Sequence, residues 1–224
     1  MSSIFITGAN RGLGLEFARQ YAAAGWEVIA TCREPAKATA LNKLGVEVLA
    51  LDVGDPGGVS AIAHKLAGRP IDILLNNAGI YGEDQNFGRI DVGQWERVFR
   101  INTMAPIKLA EALLPNVLAG RKRLMVFITS LMGSIADNSG GGSYIYRSSK
   151  AALNAAVKSL SVDLAGQGVT ALLLHPGWVQ TDMGGSGAPT QIPDSITGMR
   201  QVIDHVHPGQ PLRYLDFRGK ELPW

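Results

Sequence analysis

A single cysteine, Cys32, excludes any disulfide within the chain. Long apolar runs are also missing: none approaches the roughly 18 residues that a bilayer-spanning helix needs. Met1-Ser2-Ser3-Ile4 leads directly into an apolar stretch with no signal-peptide pattern. A cytoplasmic protein with no membrane partner is therefore expected. Charge of one sign is scarce. The formal +2 is spread along the chain, and the one dense basic cluster, Arg121-Lys122-Arg123, reads as the solvated approach to a strand. That argues against a nucleic-acid partner. No low-complexity tract is present, and no repeat beyond an alternation of strands and helices. Asp204-His205-Val206-His207 lacks a third ligand pattern, so no metal site is expected.

What is present suits one compact domain. A chain of 224 residues, 46% hydrophobic and 18% charged, buries about 70% of its unfolded surface. A single domain over 1–224 is expected. Short apolar runs alternate with longer amphipathic stretches, which implies an α/β fold with a parallel sheet covered by helices. Strands are expected near Ile4–Thr7, Glu27–Thr31, Val46–Leu51, Ile71–Asn76, Leu124–Thr129, Thr170–His175 and Arg213–Asp216. Helices are expected at about 12–24, 36–43, 57–67, 91–118 and 144–166. The long 91–118 stretch contains Pro106 and Pro115, and a proline costs roughly 3 kcal/mol inside a helix, so it should be kinked or divided. Met183–Pro193, with three glycines and two prolines, reads as a loop beside the ligand crevice. Within this domain, the segment 183–207 is expected to serve as a substrate lid; a plain surface connection is the alternative.

The run Thr7-Gly8-Ala9-Asn10-Arg11-Gly12-Leu13-Gly14 closes the first strand and opens the first helix. Glycines there let the backbone turn sharply and approach a pyrophosphate, and the free amides of a helix start attract negative charge. The spacing is GxxxGxG, not the general GxGxxG. Further on come Asn76-Asn77-Ala78-Gly79 after the fourth strand and Tyr146-Arg147-Ser148-Ser149-Lys150 on a later helix. Together, in this order, these motifs resemble those of the short-chain dehydrogenase/reductase family, and the resemblance spans essentially the whole chain. The Ser-Leu-Met-Gly-Ser stretch from Ser130 and the ending Gly219-Lys220-Glu221-Leu222-Pro223-Trp224 are similar to the C-factor and sniffer-type carbonyl reductase branch.

The resemblance implies a Rossmann-type doubly wound sheet of about seven strands and an NADP(H)-dependent reductase acting on an aldehyde or ketone. Gly8, Asn10, Arg11, Gly12, Leu13 and Gly14 would form the phosphate turn, and Asp52 and Val53 would lie by the adenine. Asn76, Ala78 and Gly79 would line the cofactor. Pro176, Gly177, Val179 and Thr181 would meet its nicotinamide end. The end of the second strand carries Cys32 and Arg33 where an acidic residue would repel a 2'-phosphate, so NADP(H) is expected over NAD(H), with Arg33 and Arg11 flanking the phosphate. Glu34 binding the ribose is the competing reading, against a plain role at the helix start after Pro35.

Tyr146 and Lys150 are four apart on one helix face. A nearby ammonium favours phenolate, so Lys150 is expected to ease Tyr146 ionisation while holding the nicotinamide ribose. Tyr146 would act as proton donor in reduction and as base in oxidation. Tyr144 is no equivalent, since Ser148 stands four residues on. The family's substrate-binding serine corresponds to Ser130, with Ser134 as alternative, because Asp137–Gly142 looks like a small glycine-rich insertion. Asn102 matches the asparagine whose backbone carbonyl holds a relay water. His175 reads as a packed histidine. A homodimer or homotetramer is implied, paired through the helices at 91–118 and 144–166. A signalling or sensor protein that holds NADP(H) with little turnover is the other reading.

Overall fold

The computed structural model describes residues 1–83 and 85–224. Seven strands, all parallel, form one sheet: β1 Ser3–Ile6, β2 Glu27–Cys32, β3 Glu47–Ala50, β4 Ile73–Asn76, β5 Leu124–Ile128, β6 Thr170–His175 and β7 Arg213–Asp216. Their order is β3-β2-β1-β4-β5-β6-β7. The chain winds outward from β1 to β3, then returns to place β4 on the other side of β1. A crevice therefore opens at the carboxyl ends of β1 and β4, where ligands of such sheets bind.

Both faces of the sheet are apolar because helices cover both. Along β1, Ile4 and Ile6 point into one core and Phe5 into the other; along β5, Leu124, Val126 and Ile128 alternate with Met125 and Phe127 in the same way. This accounts for the continuous apolar runs, as expected of buried parallel strands. One face is covered by α1 (Gly12–Ala23), the short α2 (Thr39–Asn42) and α8 (Ile192–Asp204). The other carries α3 (Pro56–Lys65), α5 (Ala105–Ala112), α6 (Leu114–Ala119) and α7 (Tyr144–Asp163), with α4 (Val92–Phe99) beside α7.

The 91–118 stretch is divided, as its prolines led us to expect, into α4, a π-turn at Arg100–Met104, α5 and α6. Pro106 and Pro115 each fall in the first turn of a new helix, where a missing N–H costs nothing. Two other elements differ from the expectations. The helix expected at 36–43 is a 3-10 turn, Pro35–Lys37, followed by the four residues of α2. The second difference is α8, which no strand-helix alternation announced. Ile196, Met199 and Ile203 on it are fully buried against α1. Of the segment 183–207, therefore, only the part before Ile192 is irregular chain at the crevice.

Candidate active site

The glycine turn is held by hydrogen bonds from the loop after β4. Thr7 Oγ1 accepts from the amides of Asn77 and Ala78, both at 3.0 Å, and Asn77 Nδ2 donates to the Thr7 carbonyl at 2.8 Å. Gly8 has φ +66, and a Cβ there would lie 3.1 Å from Ala78 Cα. A Cβ on Gly14 would sit 2.3 Å from the Gly8 carbonyl oxygen. The GxxxGxG spacing thus answers a contact between the strand end and the first turn of α1. That first turn presents amides with no intrahelical partner. Gly14→Ala is expected to cost roughly 1–3 kcal/mol through overpacking and so lower Tm by several degrees; an unchanged melting curve would contradict this packing.

At the far end of the crevice, Arg33 and Asp52 stand exposed just beyond β2 and β3. They line a cavity of about 350 Å³ with Asp55, Arg97 and Arg100. Asp52 Oδ1 accepts from the Gly54 amide at 2.9 Å, so it also braces a turn. Val53 packs at the edge of the core under α3. Glu34 is ion-paired with Lys37 within its own 3-10 turn. The Arg11 guanidinium pairs with Asp182 in the loop after β6. Asn10 is exposed on the turn, and Leu13 packs partly against the core.

Asn76 ends β4 almost fully buried, with its Nδ2 lacking a partner. Beyond β6, the Pro176 carbonyl accepts from Ser195 Oγ at 2.6 Å. Gly177 has φ +86, and a Cβ there would meet the Phe217 ring at 2.8 Å. Val179 is buried and bridges to Thr190, and Thr181 lies against Gly12. The loop after β6 therefore closes back onto the glycine turn.

Tyr146 and Lys150 occupy successive turns of α7, both buried. Lys150 Nζ donates to the Ile128 carbonyl at 2.9 Å and lies 5.8 Å from the Tyr146 ring centroid. Burial pushes its ammonium down to about 8. The Tyr146 phenol is pushed up to about 12, mainly by burial, with the Ser130 hydroxyl pulling it down and Tyr81 adding to the rise. Desolvation is the largest influence, and Tyr146 is a protonated phenol at neutral pH.

Ser130 follows β5, where its Oγ accepts from the Met132 amide at 3.2 Å and meets the Tyr146 phenol. Ser134 is directed elsewhere, its hydroxyl donating to the Trp224 carbonyl at 3.1 Å and accepting from the Asp137 amide at 3.0 Å. Gly141 and Gly142, both at positive φ, form an exposed to half-buried turn that takes up the extra length between serine and tyrosine. Tyr144 stands 40% exposed beside Phe87, away from this group.

Asn102 lies in the π-turn, fully buried. Its Oδ1 accepts from the Ile80 amide at 2.9 Å, and its Nδ2 donates to the Ile80 carbonyl at 2.8 Å and to Ser149 Oγ at 3.1 Å. The side chain thus joins the loop after β4 to α7, and a Cβ on Gly79 would approach it at 3.3 Å. His175, pushed down to about 4 by burial, stays neutral at physiological pH.

Several residues of this region lay outside the sequence expectations. Thr7 and Asn77 lock the two motifs together, although both stand inside the runs that announced them. Tyr81 places its ring 4.7 Å from that of Tyr146. Tyr214, on β7, donates to the Ser130 carbonyl at 2.5 Å across 84 residues of chain, and no local signal marks it.

Known proteins share this arrangement. The family model described as short chain dehydrogenase matches residues 2–191. C-signal of Myxococcus xanthus is 46% identical over 164 residues, 73% of this chain and 99% of that protein. A short-chain dehydrogenase/reductase from Burkholderia multivorans, solved with bound NADP, superposes with a TM-score of 0.93 at 32% identity, over 100% of this chain and 99% of that one. Carbonyl reductase Sniffer of D. melanogaster gives a TM-score of 0.92 at 34% identity, with both chains fully covered.

Proposed function

The chain belongs to the short-chain dehydrogenase family, and from that premise we propose that it reduces an aldehyde or ketone with NADPH, with Tyr146 as the proton donor. The observation that carries this reading is the convergence of Ser130, Tyr146 and Lys150 at the carboxyl end of the sheet, with the phenol held protonated. When bound, NADPH supplies a hydride to the carbonyl carbon. Tyr146 gives its phenolic proton to the carbonyl oxygen, which Ser130 holds by a hydrogen bond. Lys150, one turn on, stabilises the phenolate left behind and orients the nicotinamide ribose. The carbonyl of Asn102, at the π-turn, holds a water that returns a proton through Lys150.

The residues present fit a phosphorylated dinucleotide. Gly12, at positive φ, leaves open space beside Thr181 that a side chain would fill, the orphaned Nδ2 of Asn76 offers a donor at the crevice, and Arg33 stands free of any ion pair among the described residues. We assign the 2'-phosphate to Arg33, with Arg97 and Arg100 lining the same cavity. Arg33→Asp is expected to weaken NADPH relative to NADH by roughly tenfold or more, the scale of a charge-assisted hydrogen bond of about 1.5–3 kcal/mol. Equal dissociation constants in titrations of both variants would remove the assignment.

The lid is confined in this reading to residues 183–191, since α8 is part of the core. We place the protein in the cytosol; among the described residues no helix is long and apolar enough to cross a membrane. A homodimer or homotetramer, paired through the 91–118 stretch (α4, α5 and α6) and α7, completes the reading, and sedimentation showing only a 23.8 kDa species would remove that part. A second reading, an NADP(H)-binding signalling protein with little turnover, draws on the likeness to C-signal.

A further inference from the structure

Helix α7 carries the tyrosine and lysine, yet its start has no cap of its own. Asp55 and Asp91 cap α3 and α4 from the adjacent position, whereas Ser143, with φ 47, makes no side-chain cap bond to α7. The first amides of a helix need partners from outside it. Here they come from 61 residues upstream. The Gln85 carbonyl accepts from the Tyr144 amide at 3.1 Å, and Gln85 Oε1 accepts from the amide of Tyr146 itself at 2.9 Å.

We propose that Gln85 is a positioning residue for Tyr146, capping the catalytic helix from the loop after β4. Gln85 is 6% exposed, and its amide group is used at both ends. Its Nε2 donates to the Tyr81 and Gly82 carbonyls, each at 3.1 Å, tying Gln85 to both residues. Tyr81 adds a third contact with the helix start, where its OH and Ser143 Oγ lie 2.8 Å apart. Tyr81 also lays its ring beside the Tyr146 ring. One buried glutamine therefore holds both the wall next to the phenol and the backbone that aims it. The catalytic consequence rests on the reductase reading; the anchoring does not.

Gln85→Met keeps the shape and removes the hydrogen bonds, whereas Gln85→Glu keeps an acceptor for the Tyr146 amide. For Gln85→Met, kcat is expected to fall roughly 10- to 100-fold, the cost of a small misplacement of the reacting group, with KM and the NADPH dissociation constant little changed. Gln85→Glu should recover kcat at acid pH, where its protonated carboxyl offers both an acceptor for the Tyr146 amide and a donor to the Tyr81 and Gly82 carbonyls, and lose it as the carboxyl ionises against those carbonyls. A residue that only supports the fold would lower Tm in both variants and move neither the profile nor the kcat-to-KM split. The proposal is overturned if Gln85→Met, assayed below its Tm, keeps kcat within about twofold of the parent, or if Gln85→Glu at acid pH is no better than Gln85→Met. Should the parent protein itself turn over no carbonyl, the reductase reading fails instead. Amide exchange at Tyr146 then decides: faster exchange in Gln85→Met supports the anchoring, and unchanged exchange overturns it.

Discussion

Tyr146→Phe is expected to lower kcat for carbonyl reduction by roughly 10²–10⁴-fold, the usual worth of a positioned proton donor, while NADPH binds as before. The substitution removes one hydroxyl. The ring stays packed against Tyr81, and the Tyr146 amide keeps its bond to Gln85 Oε1, so the helix has no reason to move. The hydroxyl lies in a buried setting that pushes the phenol up to about 12. Such a phenol stays protonated at neutral pH and is a weaker acid than free tyrosine, so its proton is handed over only as a carbonyl oxygen gathers charge beside it. Equal loss of kcat and kcat/KM, with an unaltered NADPH titration, is the pattern of an interaction made only in the transition state. A rise in KM at constant kcat would instead make Tyr146 a binding residue.

Lys150→Met is expected to abolish activity and yet raise the stability of the cofactor-free protein at neutral pH. Burial pushes the Lys150 ammonium from its ordinary 10.5 down to about 8. With each tenfold in ionisation worth about 1.36 kcal/mol, holding the charge inside costs the fold roughly 3 kcal/mol. Loss of the bond to the Ile128 carbonyl returns about 1 kcal/mol of that. A net gain of roughly 2 kcal/mol corresponds to a Tm increase of a few degrees for a chain of this size. The sign with pH follows from proton binding. Between the folded value near 8 and the unfolded 10.5, the unfolded chain holds the extra proton, so the parent protein gains stability as pH rises. The advantage of the methionine variant should therefore be full below pH 8 and fade towards pH 10.5. A variant less stable than the parent at pH 7 by as much as at high pH would show that the buried ammonium carries no penalty.

The strands were legible because a parallel sheet covered on both faces writes itself as continuous apolar runs, as in Leu124–Ile128. The nucleotide turn and the tyrosine helix were legible as residue types at fixed spacings. What those spacings did not contain was contact across the chain. Arg11 reads as a phosphate ligand, and nothing in the glycine run announces its ion pair with Asp182, 171 residues away. Ser130 and Ser134 could not be separated by spacing alone, and only the fold shows one at the phenol and the other bonded to Trp224. Helix α8 was hidden by the glycines and prolines before it, although Ile192, Ile196, Met199 and Ile203 already had helical spacing. The rise in the Tyr146 pKa was hidden for a related reason: a lysine four residues on is visible in sequence, and desolvation is not.

The central claim is tested most directly by incubating the purified protein with NADPH, deuterated at C4 of the nicotinamide, over a panel of aldehydes, ketones and quinones, and analysing the products. The account predicts NADPH consumption, deuterium on the carbinol carbon of the alcohol formed, and loss of both with Tyr146→Phe. Tight NADPH binding without turnover across the panel would contradict it and favour the signalling reading.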